Sequence, residues 1–362
     1  MKILVFILIL SILVIIHELG HFLVAKKNNV FVEEFGFGIP PRLFGKKIGE
    51  TLYSINALPF GGFVKVLGEE EAELDKKKLS PSLYKRTFVS KKPLVKAMII
   101  VAGVAANFLL GWVIISYLFT RGVPVPRDAV IVEKVASHSP AYTAGVKAND
   151  SIIQMIITSN KTITFPIQKT EDLITLSQKY AGSTITLVIL REGVKKHIAL
   201  IPRKNPPASQ GALGMVIRTD FSIKKYPWYS APFFGFYESV KITKLMVVEI
   251  VKILFRLFTF QKISLDVAGP VGIAQITGKA VDVGFDAVMQ LLGILSFNLA
   301  IINIFPFPAL DGGRLVFVFY EWITKRKVNP SVERKVNFAG FALLISLIIL
   351  ITIKDISRLI VK

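Results

Sequence analysis

A chain of 362 residues, 52% hydrophobic and with a mean hydropathy of +0.56, is too apolar for an ordinary soluble enzyme and has the composition of a polytopic membrane protein. It contains no cysteine, which excludes disulfides and restricts any transition-metal site to N and O ligands. Its net charge of +20 suits cytoplasmic loops against anionic lipid, and no arginine-rich aromatic module points to nucleic acid.

The first apolar run covers residues 3–25 and carries His17-Glu18-Leu19-Gly20-His21. Lys2 ahead of an apolar stretch resembles a secretory leader, but the candidate site Leu23-Val24-Ala25 has a bulky leucine where a small residue is needed. Residues 1–25 therefore read as an uncleaved first transmembrane helix. On a helix, histidines at i and i+4 share a face and can reach one ion, and the glutamate between them can act on a water held there. Two of the four histidines in the chain lie in this string. Charged groups at a bilayer centre cost roughly 2.5–3.5 kcal/mol each even on the lenient insertion scale, so the placement asks for a function. The pattern predicts a metal centre with His17 and His21 as ligands and Glu18 as the catalytic acid–base group. His21 lies five residues from Lys26, about 7.5 Å along a helix, so the site sits below the cytoplasmic membrane surface and needs water conducted to it.

Residues 26–93 form the next loop. From 26 to 96 there are 14 Lys or Arg against 8 Asp or Glu, which makes this side cytoplasmic. Within it, about 31–68, β-prone pieces alternate with Gly and Pro: FGFGIPP at 35–41, Tyr53-Ser54-Ile55-Asn56-Ala57-Leu58-Pro59, and Gly61-Gly62-Phe63-Val64-Lys65. These read as hairpins. They form either ordinary cytoplasmic turn structure or a re-entrant sheet whose edge pairs with an extended substrate. The charge run 69–78 reads as a solvated face.

A second span follows at 94–120, with its apolar core at 97–119. Residues 124–205 read as one compact soluble domain, with strands at 130–135 and 184–190 and a helix at 171–179. The string from Ser139 to Ile153 matches the helix-turn-strand stretch of PDZ domains; the alternative is an unrelated small α+β domain. In 206–285, Glu238, Lys241, Glu249, Lys252 and Arg256 oppose Val247, Ile250, Leu254 and Phe258 on a helical wheel. That predicts an amphipathic helix lying on the outer leaflet.

The third span, 286–323, is interrupted. Its apolar stretch 291–304 meets Pro306, Pro308 and Asp311-Gly312-Gly313 before 315–323 resumes, so a break is expected. Such a break is tolerated at membrane depth where it is buried in protein or lines a wet cavity. Asp311 is an acid in an apolar region, readable as a third ligand or as the N-cap of the resumed helix. Asn298 and Asn303 are open to interhelical hydrogen bonding, and Asn107 reads as structural. The loop 324–335 holds Lys325, Arg326, Lys327, Arg334 and Lys335 and is cytoplasmic; a fourth span follows at 336–354. Both termini and residues 120–285 then lie outside.

These residues together resemble the site-2 protease family of intramembrane metalloproteases, in its bacterial RseP-like branch with a single PDZ domain. The resemblance rests on HELGH at 17–21, FGFGIPPRLFGKK at 35–47, YSINALPFGGFVKVLGE at 53–69, AGVAANF at 102–108, the PDZ-like string, GPVGIA at 269–274, and Asn298 with NIFPFPALDGG at 303–313. It covers nearly the whole chain. Val104 departs from it, standing where the family's frequent AGPxxN string has proline. The resemblance implies that zinc is held by His17, His21 and Asp311, and that Asn298 and Asn303 hold the substrate backbone or the oxyanion. It also implies a membrane-re-entrant β-loop that presents substrate as a strand, making Tyr53, Ile55, Gly61 and Gly62 candidate substrate contacts.

The expected architecture is a mainly α polytopic membrane protein with four transmembrane helices, a re-entrant β-hairpin loop and one extracytoplasmic PDZ-like domain in a bacterial inner membrane. The expected activity is that of a Zn2+ metalloendopeptidase cleaving transmembrane segments of single-pass proteins, such as anti-sigma factors or signal-peptide remnants. The PDZ-like domain would contact a substrate ectodomain or C-terminal tail. A membrane metal transporter, or a PDZ adaptor without proteolysis, is the alternative; neither has a use for a base between two ligands.

Overall fold

The apolar N-terminal run forms α1 (Lys2–Lys27), whose 26 residues extend about 39 Å, more than the roughly 30 Å of a hydrocarbon core. Lys26 and Lys27 lie in its last turn, where cations complement the helix dipole. The computed structural model describes residues 1–69, 79–158, 162–207, 210–259 and 269–360, and the charge run 69–78 lies outside these apart from Glu69.

Two long strands follow, β1 (Val32–Ile48) and β2 (Thr51–Val66), turning at Gly49 with φ +62°. Each bends back on itself, so the pair makes a curled sheet of four segments. Residues 32–37 pair antiparallel with 62–66 on one side, and 34–37 run parallel to 52–55 on the other, while 44–48 pair antiparallel with 51–55. Among the described residues, 62–66 is therefore an outer segment with one free edge. Gly38 and Gly61 make the bends at φ +82° and +88°, where a Cβ is disfavoured. After the short α2 (Pro81–Tyr84) comes α3 (Pro93–Arg121), the second long apolar helix. Gly20 of α1 lies directly on Ala102 of α3, and a Cβ there would overlap the Ala102 carbonyl oxygen.

Residues 121–226 form a separate compact unit. It contains β3 (Val123–Val135), α4 (Pro140–Thr143), β4 (Ser151–Thr158), β5 (Thr162–Pro166), α5 (Thr170–Lys179), β6 (Ile185–Arg191), β7 (Val194–Leu200) and β8 (Met215–Lys224). The strand order is β7-β6-β4-β3-β8, with β5 added to β4. Ile152, Met155, Ile185, Leu187 and Ile189 are fully buried against Leu173 of α5. The expected end at 205 is too early, because β8 pairs with β3 along nearly its whole length. Arg218, Asp220, Ser222 and Lys224 alternate there with Ile217, Thr219, Phe221 and Ile223, a period-2 strand signal that the expected boundary passed over. Asp150, at the turn into β4, is buried and takes two 2.7 Å bonds from Arg191 and one of 2.8 Å from the Lys147 N–H. Burial disfavours its charge, but the Arg191 and Lys147 bonds outweigh that and hold the carboxyl below its ordinary pKa.

The chain then forms α6 (Ala231–Phe258), α7 (Pro270–Val283), α8 (Phe285–Ile304), α9 (Asp311–Thr324) and α10 (Pro330–Ile360). The amphipathic stretch is helical, as α6, but its early half packs on α3. Trp112 Nε1 donates to the Pro232 carbonyl at 2.9 Å, Gly235 abuts Ser116, and Phe236 contacts the rings of Phe108 and Trp112. The helix α7 lies in a region read from sequence only as a motif. Its start is held by Asp355 of α10, whose carboxylate accepts the N–H groups of Gly269 and Gly272 at 2.9 and 2.8 Å. Among the described residues four helices, α1, α3, α8 and α10, are long and apolar enough to cross a membrane. Ile9 and Leu13, Ile114 and Ile115, and Leu292 and Phe297 form the buried core where the first three meet. The two sheets make the chain less purely helical than its apolar runs imply.

Candidate metal centre

The centre is assembled from α1, α3, α8 and α9. Pro306 and Pro308 prevent α8 from continuing, and the chain turns through Phe305 in extended conformation and Ala309 at φ +71° before α9 begins. Gly312 and Gly313 let the first turn of α9 close on this break, since a Cβ on Gly312 would overlap the Ile304 and Phe305 carbonyls and one on Gly313 that of Phe307. Leu310 is the cap residue and Asp311 the first helical one, so the carboxylate is directed toward α1.

His17 Nε2 lies 3.0 Å from Asp311 Oδ2, His21 Nε2 lies 3.2 Å from the same oxygen, and the two Nε2 atoms are 3.1 Å apart. Tetrahedral zinc with bonds of about 2.0–2.1 Å needs ligand atoms about 3.3–3.4 Å apart, so this triangle is close to that size and slightly tighter. Its proton bookkeeping fits as well. His21 Nδ1 donates to the Ile99 carbonyl at 2.8 Å, and because a carbonyl only accepts, the neutral ring presents a bare Nε2 lone pair. Asp311 Oδ2 is buried without a hydrogen-bond donor. Buried acceptors facing one another are satisfied by a cation.

A cavity of about 270 Å³ is lined by His17, Glu18, His21, Asp311, Phe63 and Val64, with Glu69 and Arg314 also at its wall. Glu69 and Arg314 form an ion pair that links the residues after β2 to α9. A neighbouring cavity of about 390 Å³ shares Glu69, Phe88, Ile100 and Arg314, and adds the buried Lys96, bonded at 2.7 Å to Glu321. Charged groups therefore continue from the centre between α3 and α9.

The other residues singled out from sequence divide. Asn303 lies 3.3 Å from His17 Nε2 through its Nδ2. Asn298, five residues earlier, is turned about 140° round the same helix at 100° per residue, so the two do not share a face. Gly62 lies on the 62–66 segment against α1, where a Cβ would meet Val14 and Glu18. Gly61 makes the preceding bend. Tyr53 and Ile55 are not brought to the centre. They belong to the segment paired on both sides, where Tyr53 packs on Phe22 and Phe35, so their backbone cannot accept a further strand. Sequence reading missed Phe63, Val64, Glu69 and Arg314 at the cavity, and missed that Gly103 and Asn107 of α3 abut the imidazoles. Their signal was a glycine and an amide four residues apart in an otherwise apolar span.

Comparison with known proteins identifies the family and the metal. The profile of peptidase family M50 matches residues 5–347. The zinc metalloprotease RasP of Shouchella clausii is 31% identical over 432 aligned positions, covering 98% of this chain and 99% of that protein. RasP of Oceanobacillus iheyensis is 30% identical, covering 98% of each. A Clostridium acetobutylicum protein provisionally named a zinc metalloprotease is 34% identical over 98% of this chain and 97% of its own length. With a family match over nearly the whole chain and a His, His, Asp donor set drawn together, the chain belongs to peptidase family M50, the site-2 protease family, and is a zinc metalloprotease.

Proposed function

We propose that this metalloprotease cleaves peptide bonds within transmembrane segments of single-pass membrane proteins, with His17, His21 and Asp311 as the zinc ligands and Glu18 as the acid–base group. The observation that carries the reading is that this ligand trio, Glu18 and the outer sheet segment 62–66 border one cavity between apolar helices. Zinc, when bound, supplies a Lewis acid that activates water near neutral pH and polarises a carbonyl. Glu18 takes the proton of the attacking water and returns it to the leaving amine. The Asn303 amide, beside His17, donates to the developing oxyanion.

A helical substrate hides its peptide groups in i, i+4 bonds and must unwind to be cut. The free edge of 62–66 compensates the exposed groups by taking the unwound segment as an added strand, with Phe63 and Val64 facing the cavity. The basic loops at 26–93 and 324–335 favour a bacterial inner membrane with those loops cytoplasmic and both termini extracytoplasmic. The unit at 121–226 is read as PDZ-like and as the part that meets a substrate ectodomain or tail. Anti-sigma factors and signal-peptide remnants are the proposed substrates, through regulated intramembrane proteolysis.

The test is Glu18→Gln, expressed with a transmembrane reporter in cells lacking the endogenous protease. The variant is expected to keep its zinc and to lose at least about 100-fold in cleavage, the low end for a general acid–base group. Cleavage at the wild-type rate would remove Glu18 from its role.

A further inference from the structure

The string Ala102-Gly103-Val104-Ala105-Ala106-Asn107 of α3 has no part in the chemistry above, yet it lies against both imidazoles. Asn107 is completely buried, and its backbone carbonyl accepts the Ser296 hydroxyl of α8 at 2.7 Å. Its side-chain amide stands 3.2 Å from His17 Nδ1, and its Oδ1 is buried with no hydrogen-bond partner. An amide can present either end. If Nδ2–H faces His17, Nδ1 must accept, and the proton of the neutral ring moves to Nε2, the atom directed at Asp311 and His21. A ring protonated there cannot ligate. If Oδ1 faces His17 instead, it accepts from Nδ1–H, its orphaned oxygen is satisfied, and Nε2 is left bare. That orientation gives Oδ1 a donor and sets the ligand's tautomer, with Nδ2 taking the position the oxygen held.

We propose that Asn107 is a positioning residue for His17. Its side-chain carbonyl accepts the Nδ1 proton, as the Ile99 carbonyl does for His21, so that α3 fixes the tautomer and ring plane of both histidines. Residues 99, 103 and 107 repeat every fourth position and so lie on one face of α3, with Gly103 leaving flat room for the rings between the two acceptors. Outer partners of this kind typically change metal affinity by about 10–100-fold. The inference rests on the reading of His17 as a zinc ligand, and the test separates the two.

Zinc affinity is measured by chelator competition on the full-length, detergent-solubilised protein, with melting temperature recorded for each variant. Asn107→Leu keeps the volume and loses the acceptor, and is expected to bind zinc about 10–100-fold more weakly. Asn107→Asp keeps an acceptor and is expected to stay within about threefold of wild type, well inside that range. The d–d spectrum of the cobalt-loaded protein should change in the leucine variant and be restored in the aspartate one. Should the leucine variant fail to fold, Asn107→Ala supplies the same comparison. Wild-type affinity in the leucine or alanine variant, or equal weakening by the aspartate one, overturns the inference. Unchanged zinc binding in His17→Ala would overturn the ligand reading itself.

Discussion

Gly103→Ala tests how closely α3 is fitted to the metal centre. An ideal Cβ at this position would sit 2.6 Å from His21 Cε1 and 2.8 Å from His17 Cε1, and closer still to His21 Nε2. Ordinary contact begins near 3.4 Å, so the rings or the helix must give by about 0.6–0.8 Å at the Cε1 atoms and by more at His21 Nε2. Metal sites tolerate only about 0.2 Å in their ligand distances. The helix has little freedom to retreat, since Gly20 and Ala102 already touch backbone to backbone one residue away. The expected loss in zinc affinity is at least about 100-fold, or about 2.7 kcal/mol. Gly111→Ala is the matched control: its Cβ would overlap the Phe297 ring, two turns further along α3. It should cost about 1–3 kcal/mol of stability through overpacking and leave zinc affinity alone. Zinc content by elemental analysis and chelator competition give the readouts. Wild-type zinc affinity in Gly103→Ala would refute the claim that this glycine sets the space for the ligands.

Two further outcomes follow from other parts of the molecule. On the outer segment 62–66, successive N–H groups point alternately toward 32–37 and away from it, so prolines placed singly at Phe63 and Val64 should separate. One removes a ladder bond and lowers the melting temperature. The other removes an outward N–H, leaves the fold intact and lowers kcat/KM for a transmembrane substrate about tenfold, the equivalent of one lost hydrogen bond. Full activity in both variants would rule out strand addition at this edge. In the unit at 121–226, the Asp150 carboxyl titrates below its unfolded value of about 3.9. Its contribution to stability is present above that value and is lost as pH falls through the lower, folded one. Arg191→Met, which strands the buried carboxylate, should therefore cost about 3 kcal/mol near pH 7 and progressively less below about pH 4. Thermal melting of the full-length protein at several pH values reads this, and a pH-independent difference between variant and wild type would contradict it.

Much of the centre was legible without coordinates because its signals are local. A pair of histidines at helical spacing with an acid between them carries its geometry in the helix period. Likewise, two prolines followed by Asp-Gly-Gly in an apolar run require a break. The breaks in residues 31–68 announced hairpins, but nothing in their spacing told which segment would have both sides paired. Tyr53 and Ile55 therefore read as substrate contacts, while Phe63 and Val64, on the outer segment, were passed over. The strand β8 was missed because its partner β3 lies some 80–101 positions earlier in the chain, and the packing of α6 on α3 because an amphipathic wheel does not name its partner.

What the residues determined alone was the set of apolar helices, the interruption before Asp311, and the chemical identity of the donors, all properties of neighbours within a few positions. What tertiary structure decided was which groups some 290 residues apart in sequence would converge. It brought an aspartate from α9 to within 3.2 Å of two histidines on α1 and placed a glycine and an amide of α3 behind their rings. The physical reason is that a helix period specifies which face a side chain occupies, whereas the neighbour opposite that face depends on the close approach of separate helices. Here Gly20, Gly103 and Gly312 permit that approach by leaving room where a Cβ would collide.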